Sequence, residues 1–329
     1  MNDTKWKSLS LTLVHIFIPV MLQKPSAKSK AKQHVKYLSK CLQLWKNGDL
    51  DTLLNEVRVI QSRLKTAALN KKESNEKAFC RLMLVGKIGQ ALKFIDNERD
   101  IKGVHKLTRK VTAVLAEKHP KGSPVSSDVQ LQNNDQHPEP VIFESICAES
   151  VQNVAKNVNG SGGPTHIDAD GWRHILCCKS YGKCSTALCE AIADFAKIMA
   201  TQEVSAECLK EYTACRLVPL DKGNDKFGNI GVRPVGIGEV FRRIVGKLVV
   251  EVVKDDIQEA LGPLQTCGGL KAGIEASIHS MKDMWDEPHT EAALLVDADN
   301  AFNRLNRRLA IHNIQSLCPN FYMYIRNTY

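Results

Sequence analysis

The chain is predicted to be an α+β protein, with a helical N-terminal region followed by a mixed region of helices and short strands. Three observations predict this. Apolar residues recur at helical spacing through residues 37–118, as in Leu53, Val57, Ile60 and Leu64. Two short apolar runs, residues 216–220 and 232–237, flank a turn rich in Gly, Asn and Asp, the pattern of a β-hairpin. A third run, Ala292-Ala293-Leu294-Leu295-Val296, leads straight into Asp297. An unbroken apolar run of this length reads as a buried strand, and a carboxylate where it surfaces is fixed by the strand yet reachable from the loop.

At 329 residues there is room for two domains. The 45 Lys+Arg against 36 Asp+Glu give a net charge of +9, which suits a polyanionic partner such as nucleic acid without requiring one. Eleven cysteines, odd in number and scattered, point to a reducing intracellular setting, cytoplasmic and/or nuclear. Cys177, Cys178, Cys184 and Cys189 lie closest together. They offer no Cys-x-x-Cys pair and no His-x-x-x-His partner, so they read as buried small thiols and not as a zinc site. The apolar run at residues 9–22 contains His15 and Pro19 and is too short to span a bilayer. Lys5 and Lys7 before it imitate a secretion signal, but no small-x-small cleavage site follows, so no membrane partner is expected.

Taken in order, residues 1–36 form an N-terminal tail, apolar and then lysine-rich. Residues 37–118 form a helical domain with breaks at Gly48-Asp49, at the polar stretch 70–75 and at Gly103. Nothing in it carries chemistry. Residues 119–140 hold Pro120, Pro124, Pro138 and Pro140 among polar residues and are predicted to be a linker. Residues 141–329 form the second domain. It opens with Gly160-Ser161-Gly162-Gly163-Pro164, a flexible turn that lacks both the phosphate-loop lysine and the dinucleotide spacing. A helix is predicted from about Thr186 to Thr201, carrying Leu188, Ile192, Phe195 and Met199.

The hairpin carries Lys222 and Arg233 on either side of its turn, so one face is able to present two cations. A guanidinium grips phosphate as a fork and an ammonium adds a point charge. A helix from Glu239 follows, with Val240, Phe241, Ile244, Val245, Leu248, Val249, Val252 and Val253 as its apolar stripe and its end near Gly262-Pro263. Arg242, Arg243 and Lys247 lie off the stripe and face either phosphates or solvent. Next come Gln265 and a helix marked by Ile274, Ile278, Met281 and Trp285, then the run into Asp297, then a helix with Ala310, Ile314 and Leu317 that closes at Pro319.

Four of these segments, in this order, resemble the reverse transcriptases of non-LTR (LINE-like) retrotransposons. Gly160–Pro164 is similar to the glycine-proline segment before the fingers. Pro219 with Lys222, then Arg233-Pro234-Val235 and a helix, is similar to the fingers hairpin, although the turn is longer and leaves open whether Lys222 or Lys226 meets phosphate. Gln265 with Gly268 or Gly269 looks like the segment lining the template path, with Cys267 departing from the pattern. Asp297, Ala301, Phe302 and Asn303 resemble motif A of the palm.

The resemblance implies the fingers and a partial palm of a right-hand polymerase, an RNA-directed DNA polymerase, over residues 141–329. It implies RNA template, DNA primer and deoxynucleotide triphosphate as partners and Mg2+ as cofactor. Asp297 would be the catalytic and metal-binding carboxylate, with the Ala298 carbonyl completing an ion's shell. Lys222 and Arg233 would hold the triphosphate, Gln265 would support the nascent pair, and Phe302 would be the steric gate against a 2′-hydroxyl, where a plain reading makes it a core aromatic.

Two-ion chemistry needs further carboxylates. The family supplies them from a Tyr/Phe-x-Asp-Asp hairpin, and none follows Asp297; Asp255-Asp256 lies upstream in a helical pattern. The chain is therefore expected to be a retroelement fragment, truncated after motif A and inactive as a polymerase by itself. The alternative is a non-catalytic, host-retained interaction protein derived from a retroelement, working through nucleic acid or protein contacts. An unrelated metal hydrolase built on Asp297 finds no second carboxylate or histidine at useful spacing. Half a palm would also leave a sheet edge unpaired, which predicts aggregation or dependence on a partner.

Overall fold

The computed structural model describes residues 29–70, 75–89, 91–92, 103–122, 124–126, 131, 135–224, 228–266, 268, 271–298 and 301–329. The tail at residues 1–28, with its apolar run, lies outside these, as do Lys226, Cys267, Gly269 and Asp299. The chain divides into two compact units. One comprises residues 1–117, 161–167 and 214–238; the other comprises 118–160, 168–213 and 239–329.

The first unit begins with helices α1 (Ala31–Lys46) and α2 (Leu50–Asn70). Gly48, at φ 76°, makes the reversal between them that a Cβ would resist. Asp49 then starts α2: its carboxylate accepts from the Thr52 amide at 3.2 Å and the Thr52 hydroxyl at 2.8 Å. Leu53, Val57 and Ile60, spaced for one helix face, bury against Cys41, with Tyr37, Leu38 and Trp45 around them. Helix α3 (Asn75–Leu84) follows, and α4 (Arg109–Glu117) packs on the hairpin described below.

The second unit is mainly helical. Phe143, from a 3-10 turn at Pro140–Ser145, is buried. Helices α5 (Ala148–Asn157), α6 (Ala169–Cys177), α7 (Gly182–Thr201) and α8 (Val240–Val252) build the core. Asp168 caps α6 by accepting the Gly171 amide at 2.9 Å. The apolar stripe of α8 faces inward as its spacing predicts, with Val240, Phe241, Ile244, Val245, Leu248 and Val249 buried. Phe241 is the centre of an aromatic cluster: its ring lies 5.4 Å from Trp172, 5.5 Å from Phe195 and 5.8 Å from Tyr212. Burial holds the Tyr212 phenol well above its ordinary pKa, and it holds Tyr324 up as well.

Helix α8 stops ten residues earlier than the sequence suggests. It ends at Val252, and α9 (Lys254–Leu261) restarts after Val253. Asp255 and Asp256 fall in the first turn of α9, where the helix dipole favours carboxylates. Gly262, at φ 70°, terminates it. Helices α10 (Gly273–Trp285), α11 (Arg307–Leu317) and α12 (Pro319–Thr328) complete the unit. Asn306 caps α11 through the Leu309 amide at 3.1 Å, and Pro319 takes the first position of α12, where its missing N–H costs nothing.

The predicted linker is stitched to these last helices. The Gln136 carbonyl accepts from the Gln315 side chain at 3.2 Å and the Glu139 amide donates to Asn320 at 2.9 Å, while just before the linker the Lys118 carbonyl accepts from the Asn303 side chain at 2.9 Å. Asn320 in turn donates to Asp256 at 2.7 Å, so that carboxylate serves as a tether.

Two sequence expectations need correction. Ala292–Val296 is not a strand: residues 291–298 have no regular structure, and Leu294, Leu295 and Val296 are 88%, 80% and 85% exposed. A strand draws its stability from neighbours, and among the described residues the only ladder is the two-stranded hairpin sheet, which leaves this run without one. The helix marked by Ile274, Ile278, Met281 and Trp285 forms as α10, with all four side chains exposed. Of the clustered thiols, only Cys189 is buried; Cys184 stands five residues earlier on α7, about 140° around it, and meets solvent.

Candidate functional site

The hairpin consists of β1 (Cys215–Asn224) and β2 (Ile230–Gly238), antiparallel. Pro219 and Pro234 sit opposite each other, and the ladder continues on both sides of them. On its free edge β1 takes a third segment as an antiparallel bridge, Val104 against Leu220. The His105 amide donates to the Pro219 carbonyl at 2.9 Å, and the Asp221 amide donates to Gly103 at 2.8 Å. The edge is thus covered, as edges of small sheets need to be.

Side chains alternate across the two faces of the sheet. One face carries Val232, buried against Val111 and Leu115 of α4 with Ile230 and Val114 beside it. The other carries Val218, Leu220 and Lys222 from β1 and Arg233 and Val235 from β2. Leu220 pairs directly with Arg233. Lys222 lies two residues further along, and a Cβ built on Gly231 would come within 3.0 Å of the Lys222 Cβ, so lysine and arginine share this face. Both are exposed. Near the other end of the same strand, the Arg216 guanidinium donates to the Gly162 carbonyl at 3.1 Å, which holds the glycine-rich loop by its backbone.

The register slips by one residue at Lys222. Asp221 pairs with Val232, and Gly223 pairs with Gly231, leaving Lys222 as the extra residue of a β-bulge. Two features build the bulge. The Asp221 carboxylate accepts the Gly223 amide at 2.7 Å, and Gly223 takes φ 77°. Gly231 opposite has no room for a side chain: a Cβ there would sit 2.1 Å from the Gly223 carbonyl.

The remaining predicted residues belong to the other unit. Asp297 and Ala298 lie in the exposed irregular stretch 291–298. Phe302, in the single helical turn Ala301–Arg304, is 95% exposed, so it packs into no core. Gln265 sits in the turn between α9 and α10, accepting the Gly268 amide at 3.3 Å. The structure thus brings Lys222 and Arg233 to one face, while among the described residues Asp297 belongs to no group of carboxylates, histidines or cysteines. Among the described residues no group of three such side chains is placed to hold a metal ion. One carboxylate on an irregular segment does not fit a two-ion centre.

Arg242 and Arg243 are engaged in structure. Arg242 donates to the carbonyls of Thr213 and Thr328 at 3.3 and 3.0 Å, and Arg243 donates to Asn159 at 3.0 Å. Lys247 lines a cleft of about 600 Å³ between α5 and α8, with Asn153, Asn157 and Glu251, and none of the predicted site residues reaches it. No helix among the described residues is long and apolar enough to cross a membrane. What sequence reasoning missed is His105, whose role depends on Asp221 and Gly231, more than a hundred residues away, with no local motif to announce it. No protein-family model, no curated protein and no solved structure matches the chain.

Proposed function

We propose that this chain carries the fingers and the first palm segment of a non-LTR-type reverse transcriptase, and that its hairpin binds the phosphates of nucleotides or nucleic acid. The observation that carries the reading is the shared hairpin face on which Lys222 and Arg233 are both exposed, opposite the side closed by α4. Two cations on a rigid ribbon match the spread charge of a triphosphate better than a single flexible side chain does. The order of the four sequence segments supports the same reading, as does the net charge of +9. Template RNA, primer DNA and deoxynucleotide triphosphate are the partners it implies. An intracellular site, cytoplasmic or nuclear, goes with it, supported by cysteines that are all unpaired among the described residues.

The reading includes an absence of turnover. Asp297 lacks the partner carboxylates that polymerisation demands, so the chain alone is expected to bind and not to extend a primer. Mg2+ enters only with carboxylates from elsewhere. The test is binding of an RNA–DNA hybrid to the full chain across a salt series, with primer extension measured in parallel. Weak binding whose log affinity falls by about 0.7–0.9 per phosphate contact for each tenfold rise in salt, reduced in Lys222→Ala and Arg233→Ala, upholds the reading. Absence of hybrid binding, with the helical residues 37–118 alone capturing a protein, favours the interaction-protein alternative. Primer extension by this chain would overturn the account of Asp297.

A further inference from the structure

We propose that His105 is a positioning residue: it clamps Asp221 so that the bulge forms and Lys222 projects from the open face of the hairpin. The inference rests on the reading of Lys222 as a phosphate contact.

The geometry runs through four residues of one unit. His105 Nε2 lies 3.3 Å from Asp221 Oδ1 and 3.2 Å from the Gly231 carbonyl oxygen. Both partners are acceptors, so Nε2 carries a proton and donates to the pair. Asp221 Oδ1 is the same oxygen that accepts the Gly223 amide at 2.7 Å. Gly231 is the residue across from Gly223. The imidazole therefore touches both strands at the one point where the ladder slips, from the face opposite Lys222. Its own position is fixed by backbone, through the His105 amide on Pro219 and the Asp221 amide on Gly103. The imidazole is largely covered, at 20% exposure.

A bulge is a device for re-aiming a side chain. Here the Asp221 carboxylate takes the amide that would otherwise belong to the ladder, and Lys222 is pushed out as the unpaired residue. Without a donor behind it, the carboxylate is free to turn to solvent, and the strand can slip back by one residue. A regular ladder continuing from Leu220 and Arg233 would pair Lys222 with Gly231, still on the Arg233 face but held within the ladder instead of standing out as the unpaired residue.

The experiment uses the full chain and inorganic tripolyphosphate as the probe, with affinity measured by calorimetry at low salt. His105→Ala is expected to weaken binding about three- to tenfold, the effect of one lost hydrogen bond of ordinary strength. His105→Gln, which keeps a neutral N–H donor at similar reach, is expected to restore most of it. In a Lys222→Ala background His105→Ala is expected to add nothing, since it acts only through the lysine. An unchanged affinity in His105→Ala, or an equal loss in the Lys222→Ala background, overturns the proposal. Should Lys222→Ala and Arg233→Ala leave tripolyphosphate binding untouched, the phosphate reading itself fails. Amide exchange at Gly223 then decides the clamp: faster exchange in His105→Ala, reversed in His105→Gln, upholds it, and unchanged exchange overturns it.

Discussion

Arg242 donates to the carbonyl of Thr328, 86 residues away, at 3.0 Å, and its guanidinium lies 5.8 Å from the centre of the Tyr329 ring. A cation that looked available to phosphate is thus the tie between α8 and the last turn of α12. It also holds the Thr213 carbonyl at 3.3 Å. Arg242→Ala is expected to destabilise the second unit by about 2 kcal/mol, because two carbonyls lose a charged donor at once. Arg242→Lys recovers only part of this, since an ammonium does not reach both acceptors as a planar fork does. Urea denaturation followed by tryptophan fluorescence checks both, with Trp172 in the adjoining core as reporter.

Gly246 of α8 lies against Tyr324 of α12. A Cβ there would lie 2.7 Å from the Tyr324 hydroxyl, inside contact distance. Gly246→Ala is therefore expected to cost about 1–3 kcal/mol despite the better helix propensity of alanine. In a Tyr324→Phe background the clash has no partner atom, and the same substitution is expected to be neutral or stabilising. A double-mutant cycle by thermal melts measures the difference.

Cysteine chemistry should sort by environment. Cys147 is exposed ahead of α5, and the amides of Ser150 and then Glu149 favour its thiolate and lower its pKa. Hydrogen bonding from Ser180 lowers Cys178 in the same direction. Burial raises Cys189 and Cys177. The thiolate is the nucleophile, so alkylation of Cys147 and Cys178 is expected to set in at lower pH than that of an ordinary thiol, and Cys189 is expected to resist until the chain unfolds. Peptide mapping after iodoacetamide pulses between pH 6 and 9 reads the order.

The α10 stripe and the 294–296 run leave large apolar groups in solvent: Ile278 is 61% exposed, Trp285 54% and Val296 85%. Such a surface is an association liability. Ile278→Glu with Val296→Asp is expected to reduce binding of a hydrophobic dye and light scattering at high concentration. The melting temperature should hardly move, since neither residue supports the core. A large drop in melting temperature would show that these side chains are covered in solution. Monomeric behaviour of the unaltered chain would count against the expected partner dependence.

Much of the local structure was legible in the residues themselves. Leu53, Val57 and Ile60, the α8 stripe and the 216–237 hairpin were readable because each pattern is repeated within a few residues, where backbone geometry alone sets which side chains share a face. The same kind of pattern misled at Ala292–Val296. An apolar run says only that burial would be favourable, and burial requires a neighbour that no local pattern supplies.

The sequence by itself determined which segments become helix or hairpin and which side chains carry charge, because propensity and periodicity act over one or two turns of chain. Only the tertiary structure decided how those charges are used. Arg242 and Arg243 were taken by backbone carbonyls, Asp256 by Asn320, and Asp221 by His105, since each of these bonds joins atoms that come within reach only after distant segments have packed.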